Sequence, residues 1–140
     1  MTLEAATEAG LKGALLTVLQ AVDSSIAFRC SRSADEGTGQ EEQREYPYCL
    51  ITTNTRVPEG YQALHNDIPG VIKLATSQKD DPTRVTLETL FEGAMGVLVT
   101  DNYTISGANK VSTFIEGGEN ENDGRENFMT IEVRVNVSTC

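Results

Sequence analysis

Apolar residues recur at helical spacing in two stretches of the chain. In the first, over residues 2–22, one face of a helix would carry the apolar side chains of Leu11, Leu15, Val18, Leu19 and Val22. The second stretch starts at Asp81-Pro82 and runs to about Val99. The carboxylate of Asp81 can accept hydrogen bonds from first-turn amides, and Pro82 at the first helical position loses no hydrogen bond. The pattern therefore predicts two helices, each with one apolar face.

Elsewhere apolar and polar residues alternate, which is the period of a strand with one buried and one solvated face. Residues 129–137 are the clearest case, and shorter runs lie at residues 26–30 and 46–52. Residues 71–76 are a short apolar run suited to a central strand, and residues 110–115 are predicted as a further strand. The elements follow the order helix, three strands, helix, two strands. Grouped strands with segregated helices indicate an α+β fold, and we expect one mixed or mostly antiparallel sheet of about four to five strands with two helices packed on one face.

Three polar segments separate these elements. Residues 31–45 hold five carboxylates and almost no apolar side chain, so we expect a mobile surface loop. Residues 54–70 contain two prolines and two glycines and are expected to form a second long loop. Residues 116–126 are expected to form a Gly-rich acidic connection between the last two strands. Loops of this length in a compact domain are usually functional or disordered.

Length and cysteine content indicate a single ordinary domain. The chain of 140 residues fits one domain over residues 1–140. No run approaches the roughly 18 apolar residues of a membrane span, and the first residues lack the pattern of a secretory signal, so we expect a soluble protein that is cytoplasmic when made. Cys30, Cys49 and Cys140 form no CxxC pair and are interpreted as free thiols, with the first two buried on strands.

The net charge is strongly negative. The sequence has 21 acidic and 11 basic residues, which gives a formal net charge of -10. Affinity for nucleic acid comes mostly from Lys and Arg side chains that neutralise phosphates, so binding to the outside of nucleic acid is not expected. A surface that DNA has to slide past without sticking would, however, be acidic.

Glycines inside both helices suggest close contacts. Gly10 and Gly13 weaken the first helix by up to about 1 kcal/mol each relative to Ala, which points to close packing there. Gly93 and Gly96 lie inside the second helix. They are compatible either with packing on the sheet or with a contact to another helix or subunit, and the sequence leaves both open.

Candidate catalytic and metal-binding groups do not complete a site. A calcium loop starting at Glu119 would place Thr130 where an EF-hand needs its bidentate Glu, so a solvated hairpin tip is the better interpretation. Asp80 and Asp81 have no further acidic residue or His at a spacing that completes a metal or acid–base site. His65 is the only histidine and lies in a loop bounded by Pro and Gly. We therefore predict no enzymatic activity, no metal ion and no cofactor.

The order of the elements carries a family resemblance. An opening amphipathic helix and a long loop are followed by Tyr46-Pro47-Tyr48, the strand at residues 71–76, Asp80-Asp81-Pro82 leading into a helix over residues 83–99, Phe114, and the closing strand over residues 128–137. This order resembles the tail terminator (tail completion) family of tailed bacteriophages. The resemblance covers most of the chain and rests on element order rather than on a catalytic motif.

The resemblance implies a structural protein of the virion. Members of such a family form a homo-hexameric ring that caps the growing tail tube, fixes its length and presents a surface to the head-side connector. The implied partners are further copies of the chain, the tail tube protein and the connector, with DNA passing through the channel without specific binding. The implied location is the tail-neck region of the virion, after assembly in the host cytoplasm.

A closed ring needs a heterologous interface, in which one patch of each subunit meets a different patch of the next. Sheet edges and long loops are the best candidates for these patches. We predict that four residues lie near a subunit or tube contact: Arg56, Tyr61, Leu64 and His65. Two acidic segments are candidates to face the channel, one with Glu41 and Glu42 and the other with Glu119, Glu121 and Asp123.

Two other functions are compatible with the sequence. Within a virion, a head-tail connector or neck subunit, or a tail tube protein, could share a small sheet-and-helix build. A different class is a small enzyme or ligand-binding domain whose site uses residues 54–70 with His65. That function requires a concave pocket with convergent polar groups.

Overall fold

A computed structural model of the chain describes residues 3–31, 46–59, 65–100, 103–105, 109–122 and 126–138. The elements in these residues are, in chain order, α1 (Leu3–Val22), β1 (Ala27–Cys30), β2 (Tyr48–Thr53), β3 (Val57–Glu59), β4 (His65–Ser77), α2 (Val85–Thr100), β5 (Asn109–Asn122) and β6 (Glu126–Ser138).

The strands form one mixed sheet in the order β1-β2-β4-β6-β5, and β3 pairs with β4 just beyond the end of β2. β1 and β2 are parallel, and the other paired strands are antiparallel. Both helices pack on one face of the sheet and contact each other. The predicted α+β class, mixed sheet and helices on one face are therefore confirmed, and β3 is an additional short strand.

The core lies between the helices and the sheet. The alternation predicted for the last strand is confirmed, because β6 buries Ile131, Val133, Val135 and Val137. The helices contribute their apolar stripes, which are Leu11, Leu15 and Leu19 of α1 and Leu87, Leu90, Ala94 and Leu98 of α2. Burying one such Leu or Val contributes about 1.5–3 kcal/mol relative to leaving it exposed.

Residues 54–70, predicted as a loop, are partly strand. They contain β3 and residues 65–70 of β4. Pro69 is accommodated because β4 changes its partner there, from β2 to β3. The Pro69 carbonyl accepts a hydrogen bond from the Asn54 amide at 2.9 Å. Since the N–H and carbonyl of a strand residue point to the same side, the donor that proline lacks would have faced the break between β2 and β3.

Residues 116–126, predicted as an acidic connection, are mostly strand. β5 continues to Asn122, and β6 begins at Glu126. The register with β6 shifts between Lys110 and Ser112 and again between Ile115 and Gly117, so that the ladder continues past an extra residue at each point. The first part of β5, residues 110–115, was predicted as a strand. The sequence did not reveal the second part, because it lies at the sheet edge and contains no apolar residue that could show an alternating pattern.

α2 begins at Val85, later than the start that Asp81-Pro82 predicted. The capping role of Asp81 is nevertheless confirmed, because its carboxylate accepts hydrogen bonds from two first-turn amides at 3.1 and 3.2 Å. The carboxylate reaches them across a turn in which Arg84 has a φ of 65°. Pro82 lies in this turn and not at the first helical position.

Cys30 and Cys49 are buried free thiols on β1 and β2, as predicted. Burial raises the pKa of the Cys49 thiol, which keeps it protonated and unreactive. Cys140 and residues 32–45 of the predicted first loop lie outside the described residues. None of the helices in the described ranges has the length and apolar character that a membrane span requires.

The glycines of α2 differ in what surrounds them. A Cβ at Gly93 would lie 2.9 Å from Cγ1 of Val18, so this glycine serves the contact between α2 and α1. A Cβ at Gly96 would meet no described atom within 4 Å. The sequence left two interpretations open for this pair, and the helix-to-helix contact is correct for Gly93.

Two glycines of α1 provide a matched test of close packing. Gly13→Ala is expected to stabilise the protein by up to about 1 kcal/mol, because Ala favours the helix and has open space there. Gly10→Ala gains the same helix propensity, but its Cβ would lie 2.7 Å from the Thr104 carbonyl oxygen and is expected to destabilise the protein. Urea unfolding measures both, and equal shifts would contradict the close approach of α1 to residues 103–105.

Candidate assembly surface

In the described ranges, both helices pack on the same side of the sheet, and we call the opposite side the open face. At one end of the sheet, four antiparallel strands lie in the order β3-β4-β6-β5. We call this the β3 end. Within the described part of the chain, β3 pairs with β4 alone and β5 with β6 alone, so these two strands form the sheet edges there. Sheet edges in stable proteins are usually shielded, covered or paired.

A row of side chains crosses the open face at the β3 end. The guanidinium carbon of Arg134 lies 5.3 Å from the ring centroid of Phe114, a cation–π geometry. The same guanidinium forms ion pairs with Asp67 (Nε to Oδ2, 3.5 Å) and Glu116 (Nη1 to Oε1, 3.4 Å). Asp67 lies opposite Val57 in the register of β3 with β4. The row therefore ends at both edges in an apolar side chain, with Phe114 47% and Val57 54% exposed.

This combination is suited to a protein contact. Aromatic residues and Arg are enriched in interface cores, and exposed apolar side chains gain most when a partner removes them from water. The ion pairs of Arg134 favour a position of the guanidinium over the Phe114 ring, so the aromatic side chain is partly ordered before any partner arrives. A preordered side chain loses less conformational entropy on binding.

Arg56 connects the start of β3 to α1. Its Nη2 and Nε donate to the two Glu4 carboxylate oxygens at 2.8 and 3.1 Å, and its backbone amide donates at 3.0 Å. These hydrogen bonds outweigh the opposing effect of burial and lower the pKa of Glu4 from 4.5 to about 2. The ion pair therefore holds the approach to the β3 edge against the first turn of α1.

The Glu4–Arg56 pair predicts a pH dependence of stability. A carboxyl whose pKa is lower in the folded state contributes stability that is complete above its ordinary pKa and is lost as the pH falls through the folded value. Glu4→Gln is therefore expected to be less stable than wild type above pH 4.5, and the difference should shrink toward pH 2. Urea midpoints measured across this range test the expectation. Glu92→Gln, at an exposed position, serves as a control. A stability difference between Glu4→Gln and wild type that does not change with pH would contradict the expectation.

A second carboxylate of α1 is buried one turn later. Oε2 of Glu8 accepts hydrogen bonds from the Thr53 amide at 2.9 Å, the Thr53 hydroxyl at 2.6 Å and the Ser31 hydroxyl at 2.8 Å. Because these bonds satisfy the buried carboxylate, Glu8 ties α1 to the end of β2 and to the residue after β1. Glu4 and Glu8 together set the position of both short edge strands relative to the helix layer.

The other end of the sheet holds a buried charged cluster. Glu126 accepts hydrogen bonds from Lys73 Nζ at 2.9 Å and from the hydroxyls of Tyr46 and Tyr48 at 2.7 and 3.0 Å. Burial would raise the pKa of Glu126, but Lys73 and Tyr46 lower it further than burial raises it. Burial likewise acts to lower the pKa of Lys73, yet its bond to Glu126 raises it. Both groups are therefore charged at neutral pH, and Lys73 lies 4.4 Å from the Phe128 ring centroid.

A pocket of about 260 Å³ lies beside the start of α2. Its lining includes Asp23, Asp80 and Asp81, and none of the described residues of the segment 54–70. The Asp81 carboxylate caps α2, and Asp23 accepts hydrogen bonds from Ser25. In the described ranges, no group of three or more His, Cys, Asp or Glu side chains is placed to hold a metal ion.

The structure describes four of the nine residues singled out from the sequence. Arg56 and His65 both lie at the β3 end, where His65 pairs with Glu59 and Ser138 as the first residue of β4. Glu119 and Glu121 lie on β5, opposite residues of β6, and not in a loop. The other five lie outside the described residues: Glu41, Glu42, Tyr61, Leu64 and Asp123. The predicted contact and channel roles remain predictions.

The residues that organise the surface were not predicted from the sequence. Phe114 and Arg134 are distant in the chain, and only the pairing of β5 with β6 brings them together. Glu4 and Glu8 could have been suspected, because they have helical spacing and lie on the apolar side of α1. A charged residue on an apolar helix face usually has a buried partner, but the sequence does not say which.

The fold has a counterpart in a solved virion structure. No family model and no curated protein matches the chain. A chain of the virion of a native gene transfer agent particle matches 94% of this chain and 93% of its own length, with a TM-score of 0.66 and 13% sequence identity. The chain thus has the same fold as a virion protein. The gp17 protein of bacteriophage SPP1 matches over 92% of this chain and 89% of its own, at 13% identity and a TM-score of 0.38.

Proposed function

We propose that the protein is a non-enzymatic structural subunit of a tailed-phage or phage-like virion. It forms a homo-hexameric ring that caps the tail tube, ends tail elongation and joins the tail to the head connector. The observation that carries this proposal is the fold shared with a gene transfer agent virion chain over 94% of this chain. The element order that resembles tail terminators supports the finer role.

The surface at the β3 end fits a ring subunit. Head-to-tail closure requires two different patches on each copy, and β3 and β5 lie at opposite edges of one sheet. Arg56, near the β3 edge, is among the residues predicted to lie near a subunit contact. Residues 54–70 then serve assembly, and the ligand-binding alternative receives no support from this pocket, which the described residues of the segment do not line.

Assembly of the purified full-length chain tests the proposal. A terminator should form one closed ring, seen by mass measurement and electron microscopy, and should bind the end of a preformed tail tube and stop its growth. A tube subunit would instead stack into long polymers. A neck subunit would form a ring that binds the connector but leaves tube growth unchanged. A monomer at assembly-like concentration would contradict all three.

The acidic half of β5 is proposed to face the DNA channel. Replacing Glu119 and Glu121 by Lys should slow DNA ejection and lower infectivity, because Lys neutralises phosphates and retains DNA at the channel wall. Ejection is measured on particles that have incorporated the variant, so that assembly defects are excluded. Glu88→Lys with Glu92→Lys, on the exposed side of α2, changes the charge equally and is the control. An unchanged ejection rate for the Glu119 and Glu121 variant would show that this half of β5 does not face the channel.

A further inference from the structure

The strands at the two edges of the sheet run in opposite directions, which allows antiparallel pairing between copies. β3 and β1 run in the same direction, because β1 is parallel to β2 and both β2 and β3 are antiparallel to β4. β5 runs in the opposite direction, since two antiparallel pairings separate it from β4. Rotation about an axis roughly along the strands preserves these directions. In a head-to-tail ring with its axis along the strands, β5 of one copy would therefore meet β1 and β3 of the next in antiparallel orientation.

The edges also match in apolar side chains at the β3 end. Val57 pairs with Asp67, Asp67 pairs with Asn136, and Asn136 pairs with Ser112 of β5. These four residues therefore lie side by side across the sheet, and we call residues related in this way level. Phe114 lies two residues further along and points to the same open face. If the sheet continued into the next copy at the same level, Ser112 would lie opposite Val57 of that copy and Phe114 would be its diagonal neighbour. An aromatic side chain can span the distance between diagonal neighbours on adjacent strands.

The other half of the edge matches in charge. Arg29 of β1 is level with Glu119 of β5. The paired residues between them on β2, β4 and β6 are Leu50, Lys73 and Thr130. In a continued sheet, Arg29 of one copy would therefore lie beside the part of β5 that carries Glu119 and Glu121. Opposite charges on neighbouring strands stabilise a pairing and select its register.

We propose that β5 of one copy pairs with β3 and with β1 of the next copy, so that the sheet continues from subunit to subunit around the ring. Because β1 lies one strand further out than β3, β5 has to bend between the two contacts, and its bulge between Ile115 and Gly117 lies there. This inference rests on the proposed ring and adds the interface that closes it. β3 is short and contains Pro58, which has no N–H, so few backbone bonds form there. The contact of Phe114 with Val57 and the charge match at Arg29 then determine the register. β5 has 14 residues and no proline, as a template for pairing should.

Cross-linking between copies tests the interface. Val57→Cys and Phe114→Cys are combined in a chain whose Cys140 is replaced by Ser, and the assembled protein is treated with a short bismaleimide. Cys30 and Cys49 are buried and should not react. The double variant should give a ladder of covalent oligomers up to the full ring. Each single variant should stay monomeric on a denaturing gel, because a heterologous interface does not bring like positions together. Val99→Cys with Phe114→Cys pairs exposed positions on α2 and β5 and should give no ladder.

The outcomes separate the interface from the ring itself. If wild-type rings form but the double variant gives no more cross-linking than the Val99 control, the edge pairing is wrong and the ring stands. If the wild type never assembles, both are wrong. Charge exchange provides a second measurement: Glu119→Arg should reduce the ring fraction several-fold, and adding Arg29→Glu should restore it. Rings unaffected by Glu119→Arg would overturn the proposed alignment.

Discussion

Glu126→Leu is expected to lower the free energy of unfolding by about 3 kcal/mol, the lower end of the range for breaking a buried ion pair. The change removes the carboxylate that neutralises Lys73 and accepts from Tyr46 and Tyr48. Lys73 would then be a positive charge in a site that leaves only 22% of its side chain exposed. The residual access to water is the reason for choosing the lower end of the range. Urea unfolding at neutral pH measures the effect.

A double variant separates the charge effect from the loss of packing. Lys73→Met removes the ammonium, so Lys73→Met with Glu126→Leu leaves no unpaired charge and should recover most of the lost stability. The Tyr46 and Tyr48 hydroxyls lose their acceptor in both variants, which is why recovery is not expected to be complete. A double variant as unstable as Glu126→Leu alone would show that the hydroxyl bonds, and not the ion pair, determine the effect.

Leu15→Ala is expected to destabilise the protein by about 2–5 kcal/mol, because it leaves a cavity in the centre of the core. Leu15 is fully buried on α1, among side chains of both helices and the sheet. Leu16→Ala is the matched control: it makes the same chemical change at the next position, where the side chain is only partly buried. Thermal or urea unfolding of both variants should give a clearly smaller loss for Leu16→Ala. Equal losses would mean that α1 is rotated relative to the sheet.

Glu126→Leu and Leu15→Ala are also useful in assembly experiments. Both act within one copy and on neither edge strand, so they should change unfolding without changing how copies join. A variant at the edge, such as Glu119→Arg, should do the opposite. The contrast separates defects of the fold from defects of the proposed interface, which otherwise look alike in an infectivity assay.

Sequence patterns were informative where burial is one-sided. α1, α2 and β6 each have one buried face, and their apolar periods placed them within a few residues. The pattern failed where backbone pairing rather than side-chain burial makes the strand. The second half of β5 and the first part of β4 contain charged residues, Gly or Pro, and tertiary partners hold both in the sheet. Local sequence gives no sign of such partners.

The candidate surface was predictable only in part. Residues 54–70 were singled out because they are not needed for the core pattern, and Arg56 and His65 do lie together at the β3 end. The contact between Phe114 and Arg134 was not predicted, because an exposed apolar residue on an edge strand and a single Arg have no local pattern that links them. Their relation depends on the register of β5 with β6, including two shifts that no sequence rule anticipated.

The amino-acid pattern alone was enough to predict the α+β class, the apolar faces of both helices, the cap of α2 by Asp81 and the acidic net charge. These properties depend on composition and on spacing over a few residues. The tertiary structure alone decided which strands lie at the edges, in which direction they run and which charges become level across the sheet. Strand order and register are set by contacts between residues far apart in the chain, and a one-residue shift would exchange the two faces of a strand.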